Sequence, residues 1–350
     1  MSAASFKITR ATPESRIAAV LGSIVVVGLA AAPLWLDRNV MSIAGQMLVY
    51  IGLASLWNLL AGYGGLVSVG QQAYVGLGAY FLFACGILFG VPPLAAVPLA
   101  GIVAALLAMP VSMLVFRLRG AYFAIGTWVV AEVFRLLAAQ MTLLGGGSGV
   151  SLPIAIVKTI GSTREIREYV IYEATLAAAL LILAGIFLIT RSRWGLALQA
   201  IRDNEIAAES SGVDVAGAKR LLYVAAAAGA AMLGALIGLA KLRISPDALF
   251  SVNDWTAYVI FITVIGGIGR IEGPILGTII FFALRETLSD LGPVYLVALG
   301  AVAVVTMLFA PKGVYGYLAD RFQIQLFPIA RRVKIEARSG GPLASDDAPS

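Results

Sequence analysis

The chain has 350 residues, of which 60% are hydrophobic and only 13% charged. Soluble domains carry about 25% charged residues, so an ordinary soluble globular protein is excluded and the membrane class indicated. The net charge is +6, with no histidine and one cysteine, Cys85, which excludes an intrachain disulfide framework, a zinc site built on histidine and a Ser-His-Asp triad.

Lys7, Arg10 and Arg16 precede the first apolar run, 17–36, and Ala30, Ala31 and Ala32 offer small residues for signal cleavage. A signal core is only about 7–15 residues long, whereas about 20 apolar residues span a bilayer. The run is therefore expected to be a retained first span. Charges and Gly/Pro breaks bracket further spans near 41–61, 66–90, 94–116, 121–144, 169–190, 221–240, 256–268, 273–289 and 293–310. The expectation is an all-α integral membrane protein of about ten transmembrane helices. The eighth and ninth are short for ideal crossings, as in broken helices that line transporter cavities.

Charge fixes the expected sidedness. An inside N-terminal tail (1–16) puts the loop at Arg117 and Arg119, the segment 191–220 and the tail 311–350 inside as well. These regions hold most of the basic residues, as the positive-inside rule requires. Both termini are thus expected in the cytoplasm, and membrane lipid is the expected surround. The basic residues are not interleaved with aromatics in a patch, so nucleic acid is not an expected partner. After about 336 the polar sequence "ARSGGPLASDDAPS" is expected to be disordered. Gly316 to Lys334 is a weaker candidate for an amphipathic element on the inner leaflet.

Polar residues inside the spans are the candidate pathway. Gly62 to Tyr80 is glycine-rich and contains Gln71, Gln72 and Tyr74; its glutamines suit either helix packing or a polar solute. Glu132 and Arg135 lie within the span 121–144. A charge at mid-bilayer costs about 2.5–3.5 kcal/mol on insertion scales. At i and i+3 the two share a helix face, so an internal ion pair is the stronger reading and a gate the other. Gly146 and Gly149, in the loop "GGGSG", are further candidates. Gly86/Gly90, Gly234/Gly238, Gly269/Gly273 and Gly273/Gly277 are GxxxG pairs, which point to close helix packing. No GxxxxGK[ST] occurs, so the chain has no Walker-type nucleotide site. No metal or catalytic cluster is apparent.

"RDNEIAAESSGVDVAGAKR", Arg202 to Arg220, is the densest polar stretch of the interior. Asp203 or Asn204 can cap a helix, with Glu205 in its first turn and Gly212 at the left-handed C-terminal position. Asp214 can cap the helix that follows. The spacing predicts a helix of about two turns held crosswise between spans six and seven. Such a small-faced helix suits docking to a soluble protein, and a transporter without a nucleotide site needs a partner or a gradient. A solvated loop that only fixes topology is the alternative.

These stretches resemble the permease subunits of ABC transporters for branched-chain amino acids. The resemblance covers most of 40–315 and rests on "GYGGLVSVGQQAYVGLGAY", "RLRGAYFAIGTWVVAEVFR", "GGGSGV", "GLALQAIRDNEIAAESSGVDVAGAKR", "VIGGIGRIEGPILG" and "FAPKGV". It implies a bacterial inner-membrane importer with a second homologous permease chain, two soluble ATPases and a periplasmic binding protein. It also implies that ATP and magnesium bind on the ATPases, with no cofactor in this chain. Importers carry a Glu-Ala-Ala-x-x-x-Gly pattern in the loop that docks on the ATPase. Ala207, Ala208 and Gly212 keep that spacing, but Ile206 holds the Glu place, Glu205 is one residue early, and the usual Ile-x-Leu-Pro ending is missing. Gln71 stands where relatives often have His. The resemblance thus marks Asp203, Glu205, Ala207, Ala208 and Gly212 as the ATPase-coupling set. Import of urea or short amides, or ion-coupled transport through Glu132, are the competing functions.

Overall fold

The computed structural model describes residues 5–9, 13–288, 294–310, 312–322 and 332–336. The chain is an all-α membrane bundle. Its helices are α1 (Pro13–Ala30), α2 (Arg38–Asn58), α3 (Gln71–Phe89), α4 (Pro93–Val115), α5 (Ala121–Gln140), the short α6 (Ile154–Lys158) and α7 (Arg164–Arg191). Then follow α8 (Arg193–Asp203), α9 (Glu205–Ser210), α10 (Val215–Lys241), the short α11 (Pro246–Leu249), α12 (Tyr258–Gly266), α13 (Glu272–Leu288), α14 (Val294–Phe309) and α15 (Gly313–Phe322). Four short strands complete the described residues: β1 (Ser5–Thr9) pairs antiparallel with β4 (Arg332–Glu336), and β2 (Val150–Ser151) with β3 (Arg243–Ile244).

The expected count of ten spans is not confirmed. Among the described residues, eight helical stretches are long and apolar enough to cross a membrane. In α1 the apolar residues after Arg16 run only from Ile17 to Ala30. Helix α13 has 17 residues and carries Glu272, Arg285 and Glu286, against the roughly 20 apolar residues a crossing needs. Span eight is longer than expected. Helix α11 and a π-turn over Asn253–Ala257 run into α12, so the stretch is Pro246–Gly266 rather than 256–268. Span three is shorter, because 64–70 is not a continuation of the helix and α3 begins only at Gln71. Helix α7 starts at Arg164, five residues before the expected start of span six, because Thr163 caps it, its side chain accepting from the Ile166 N–H at 3.3 Å. Of the region expected to be amphipathic, 316–334, the described residues belong to α15 and β4. The expectation of disorder after 336 falls outside the described residues.

Helix α10 is the centre of the bundle and packs on α2, α3, α4 and α7. Its approach to α3 is backbone against backbone. A Cβ at Gly78 would overlap the Ala231 carbonyl, and one at Gly234 would overlap the Val75 carbonyl. Gly234/Gly238 therefore works as a packing motif, the use glycine pairs have where helices meet without side chains between them. Gly273 and Gly277 do the same for α13, against the Gly267 carbonyl just past α12 and the Ile262 carbonyl within it.

Candidate functional site

The 192–214 segment forms a rigid bracket at one end of the bundle. The Ser192 side chain accepts from the Trp194 N–H at 3.1 Å and caps α8. A Cβ at Gly195 would overlap the Thr190 carbonyl, so α8 leaves α7 through a tight turn. Asn204, not Asp203, caps α9: its Oδ1 accepts from the Ala207 N–H at 3.1 Å. Asp203 is the last residue of α8. Gly212 takes φ +84° just past α9, the left-handed geometry that favours glycine. Asp214 Oδ1 then accepts from the Gly217 N–H at 2.9 Å and starts α10. The N-terminal end of α9 is thereby joined to α8 and its C-terminal end to α10 by capped, short connections.

Within the bracket, Ala208 is buried and Lys219 of α10 pairs with Glu205 at 2.7 Å. Ile206 is 78% exposed, and Ala207 is exposed beside it.

A junction below α8 joins three elements. Arg202 Nη1 donates to the Gly62 carbonyl at 3.3 Å. Gly62 lies in the π-turn Leu59–Tyr63 that ends α2. One turn earlier, Asn58 Nδ2 donates to the Arg270 carbonyl at 2.7 Å, and its Oδ1 accepts from the Gly269 N–H at 2.7 Å. Asn58 thus clamps the turn between α12 and α13, while Arg202 ties that corner to α8. Asn58 is not among the residues that the sequence pattern singles out. Its signal was a lone amide in the apolar run "ASLWNLLAG". Arg202 counts in that pattern only for topology.

The break before α3 is satisfied from outside the segment, as backbone in a membrane must be. Trp57 Nε1 donates to the Ser68 carbonyl at 2.8 Å, and the Val69 N–H donates to Thr127 Oγ1 of α5 at 3.0 Å. Gln71 Nε2 donates to the Leu53 carbonyl at 2.9 Å. Gln71 and Tyr74 line a cavity of about 10 Å³, where the Tyr74 and Tyr223 hydroxyls lie 3.1 Å apart. Such a volume is about that of one water. Gln72 accepts from Thr256 Oγ1 and so faces the π-turn before α12.

The other expected pathway residues lie elsewhere. Arg135 pairs with Glu132 at 2.6 Å and with Asp247 of α11 at 2.7 Å. Gly146 and Gly149 belong to the adjacent turn, where Gly149 abuts the Ile244 carbonyl of β3. Glu132, Arg135, Gly146 and Gly149 thus gather around α11 and β3, at the end of α10 opposite the 192–214 bracket. They do not share a cavity with Gln71, Gln72 and Tyr74. No group of three or more His, Cys, Asp or Glu side chains suited to a metal occurs among the described residues.

A polytopic helical bundle with a capped cross-helix tied to its core has the build of a membrane transport subunit. The family model described as the permease component of branched-chain amino acid transport systems matches residues 39–311, and the chain belongs to that family. The chain is similar to the high-affinity branched-chain amino acid transport system permease protein LivM of Salmonella typhimurium. The two are 29% identical over 303 residues, covering 80% of this chain and 71% of the relative. It is 28% identical to LivM of Escherichia coli over the same shares. A probable LivM of Methanocaldococcus jannaschii is 25% identical over 49% of each chain. No solved structure matches the chain significantly.

Proposed function

We propose that the chain imports branched-chain amino acids as one permease of an ATP-driven assembly, with α9 as its contact to a soluble ATPase. The full assembly in this proposal holds a second homologous permease, two ATPase subunits and a substrate-binding protein. ATP is bound and hydrolysed on the ATPases. The 192–214 end faces the cytoplasm, together with both termini, and the β2–β3 end faces the binding protein. The positive-inside distribution supports this orientation. The β1–β4 pairing, which holds the two terminal segments together, agrees with it.

What carries the proposal is the build of α9. It is capped by Asn204 and closed by the turn at Gly212, exposes Ile206 and Ala207, and connects directly to α10 and through α8 to α7. A push on α9 moves those two helices together, and Arg202 passes the displacement to Gly62 and the α12–α13 turn. The Glu132–Arg135 pair is held by a third group, Asp247, which favours a structural role over an ion-coupling one.

The test is purification of the tagged chain from its native membrane. A soluble ATPase and a second permease are expected to co-purify. Ile206→Asp and Ala207→Arg should each release the ATPase while leaving the yield of membrane-inserted chain unchanged. If both variants retain the ATPase and import normally, α9 is not the docking element.

A further inference from the structure

A second site lies in the half of the bundle that none of these residues reaches. There, α2, α7, α10 and the start of α12 splay apart around a cavity of about 960 Å³. That volume falls near the upper end of the ~300–1,000 Å³ range of small-molecule sites.

The base of the cavity is aromatic. The Tyr50 and Trp255 rings stack at 6.0 Å, and Tyr50 and Tyr258 both rest on Phe281, at 5.7 and 5.1 Å. The Leu236 and Ile237 side chains of α10 extend the apolar wall. The rim is charged. Arg38 pairs with Glu165, and Arg164 with Glu168 at 2.6 Å, so these charges are matched. Arg167, Lys241, Arg285 and Asp254 also line the cavity and form no ion pair among the described residues. Lys241 sits over the Trp255 ring at 5.1 Å, which places a cation directly above the aromatic base. Asp254 is half-buried in the same π-turn as Trp255.

Cations and a carboxylate that form no ion pair, two of the cations resting on the Trp255 and Phe282 rings, and an aromatic base in one cavity fit a small molecule with three parts. It has a carboxylate for the cations, an ammonium for Asp254 and an apolar tail for the rings. Charge-assisted hydrogen bonds at both termini fix its orientation, and burial of the tail adds affinity in proportion to area. We infer that this vestibule is a binding site, within this chain alone, for a zwitterionic α-amino acid with an uncharged aliphatic side chain. The inference rests on the proposed function for its direction: the vestibule takes substrate from the side opposite α9.

The experiment uses the full assembly in nanodiscs, without ATP, with Cys85→Ala as background. Gln46 is exposed on the cavity wall. Gln46→Cys is expected to react with a charged methanethiosulfonate reagent, and saturating L-leucine is expected to slow that reaction about tenfold. Isovalerate and isopentylamine, which each keep one charge, and urea, which has none, should give no protection. Asp254→Asn should raise the L-leucine concentration needed by about tenfold, the effect of losing one charge-assisted hydrogen bond. Ser42→Cys serves as a second reporter if Gln46→Cys folds poorly. Labelling that L-leucine does not slow at either position overturns the inference. So does equal protection by the single-charge analogues or by urea. Protection is read without ATPase turnover, so it stands or falls separately from release of the ATPase by the α9 variants.

Discussion

Helix α10 has two faces that work in opposite ways. One face, through Gly234 and the Ala231 carbonyl, meets α3 so closely that no side chain fits between the backbones. The other, through Leu236, Ile237 and Lys241, lines a vestibule of about 960 Å³. The difference lies in what fills the gap between helices. Where glycine removes the side chain, backbones lock and the pair moves as one body. Where bulky and charged residues stand at helix ends, neighbours splay and leave space. A transporter needs both kinds of interface, because a rigid unit must rock against something that opens.

The contrast is broken most directly at the locked face. Gly234→Leu would drive a side chain into the Val75 carbonyl. Overpacking costs about 1–3 kcal/mol and occasionally more, and a backbone obstacle cannot move aside. The expected result is loss of most folded protein, read as the monomer peak in detergent gel filtration. Gly185→Ala, where a Cβ meets nothing within 4 Å, should leave that peak intact.

The clamp between the two faces comes next. Asn58→Ala leaves the Gly269 N–H and the Arg270 carbonyl without their hydrogen bonds from Asn58. Both groups are part-buried, so the cost of leaving each unsatisfied falls toward the lower end of about 1–3 kcal/mol. A lower thermal unfolding midpoint is expected, together with loss of leucine uptake in proteoliposomes. Asn58→Asp keeps the acceptor for Gly269 but loses the donor to Arg270, so it should fall between Ala and wild type. Arg202→Gln removes a longer hydrogen bond, 3.3 Å to Gly62. Its stability cost should be about 1 kcal/mol. Uptake should fall more than ATP hydrolysis does, and equal loss of both would remove Arg202 from the coupling path.

The smallest effect belongs to the Arg135 cluster. Asp247 is 82% exposed in its side chain, and exposed ion pairs contribute about 0.2–1 kcal/mol. Asp247→Asn should leave uptake within about fivefold, since that energy is at most about a factor of five in an equilibrium. Glu132→Gln should also retain uptake. Abolished transport in Glu132→Gln, with the protein still folded, would return Glu132 to the candidate pathway.

Much of this was legible in the residues themselves. Apolar runs, their lengths and the positions of basic residues define a polytopic helical membrane protein, because bilayer thickness and backbone hydrogen bonding leave few other solutions. The caps and glycine of the 192–214 segment are local chemistry. Asn204, Gly212 and Asp214 therefore act where the sequence places them, and only the choice between Asp203 and Asn204 needed the structure.

Tertiary packing decided the rest. Whether Gly62–Tyr80 continued as helix depended on Trp57 and Thr127, residues on two other helices that satisfy the broken backbone. The start of span eight moved to Pro246 because α11 and a π-turn run into α12. Asn58 meets its partners 211 and 212 residues away, and no local pattern carries a pairing of that range. The vestibule draws Arg167, Lys241, Asp254 and Arg285 from four separate elements. Each reads alone as a charge at the end of a span. They form a site only because the helices beneath them diverge, and helix divergence is a property of packing that period and composition do not encode.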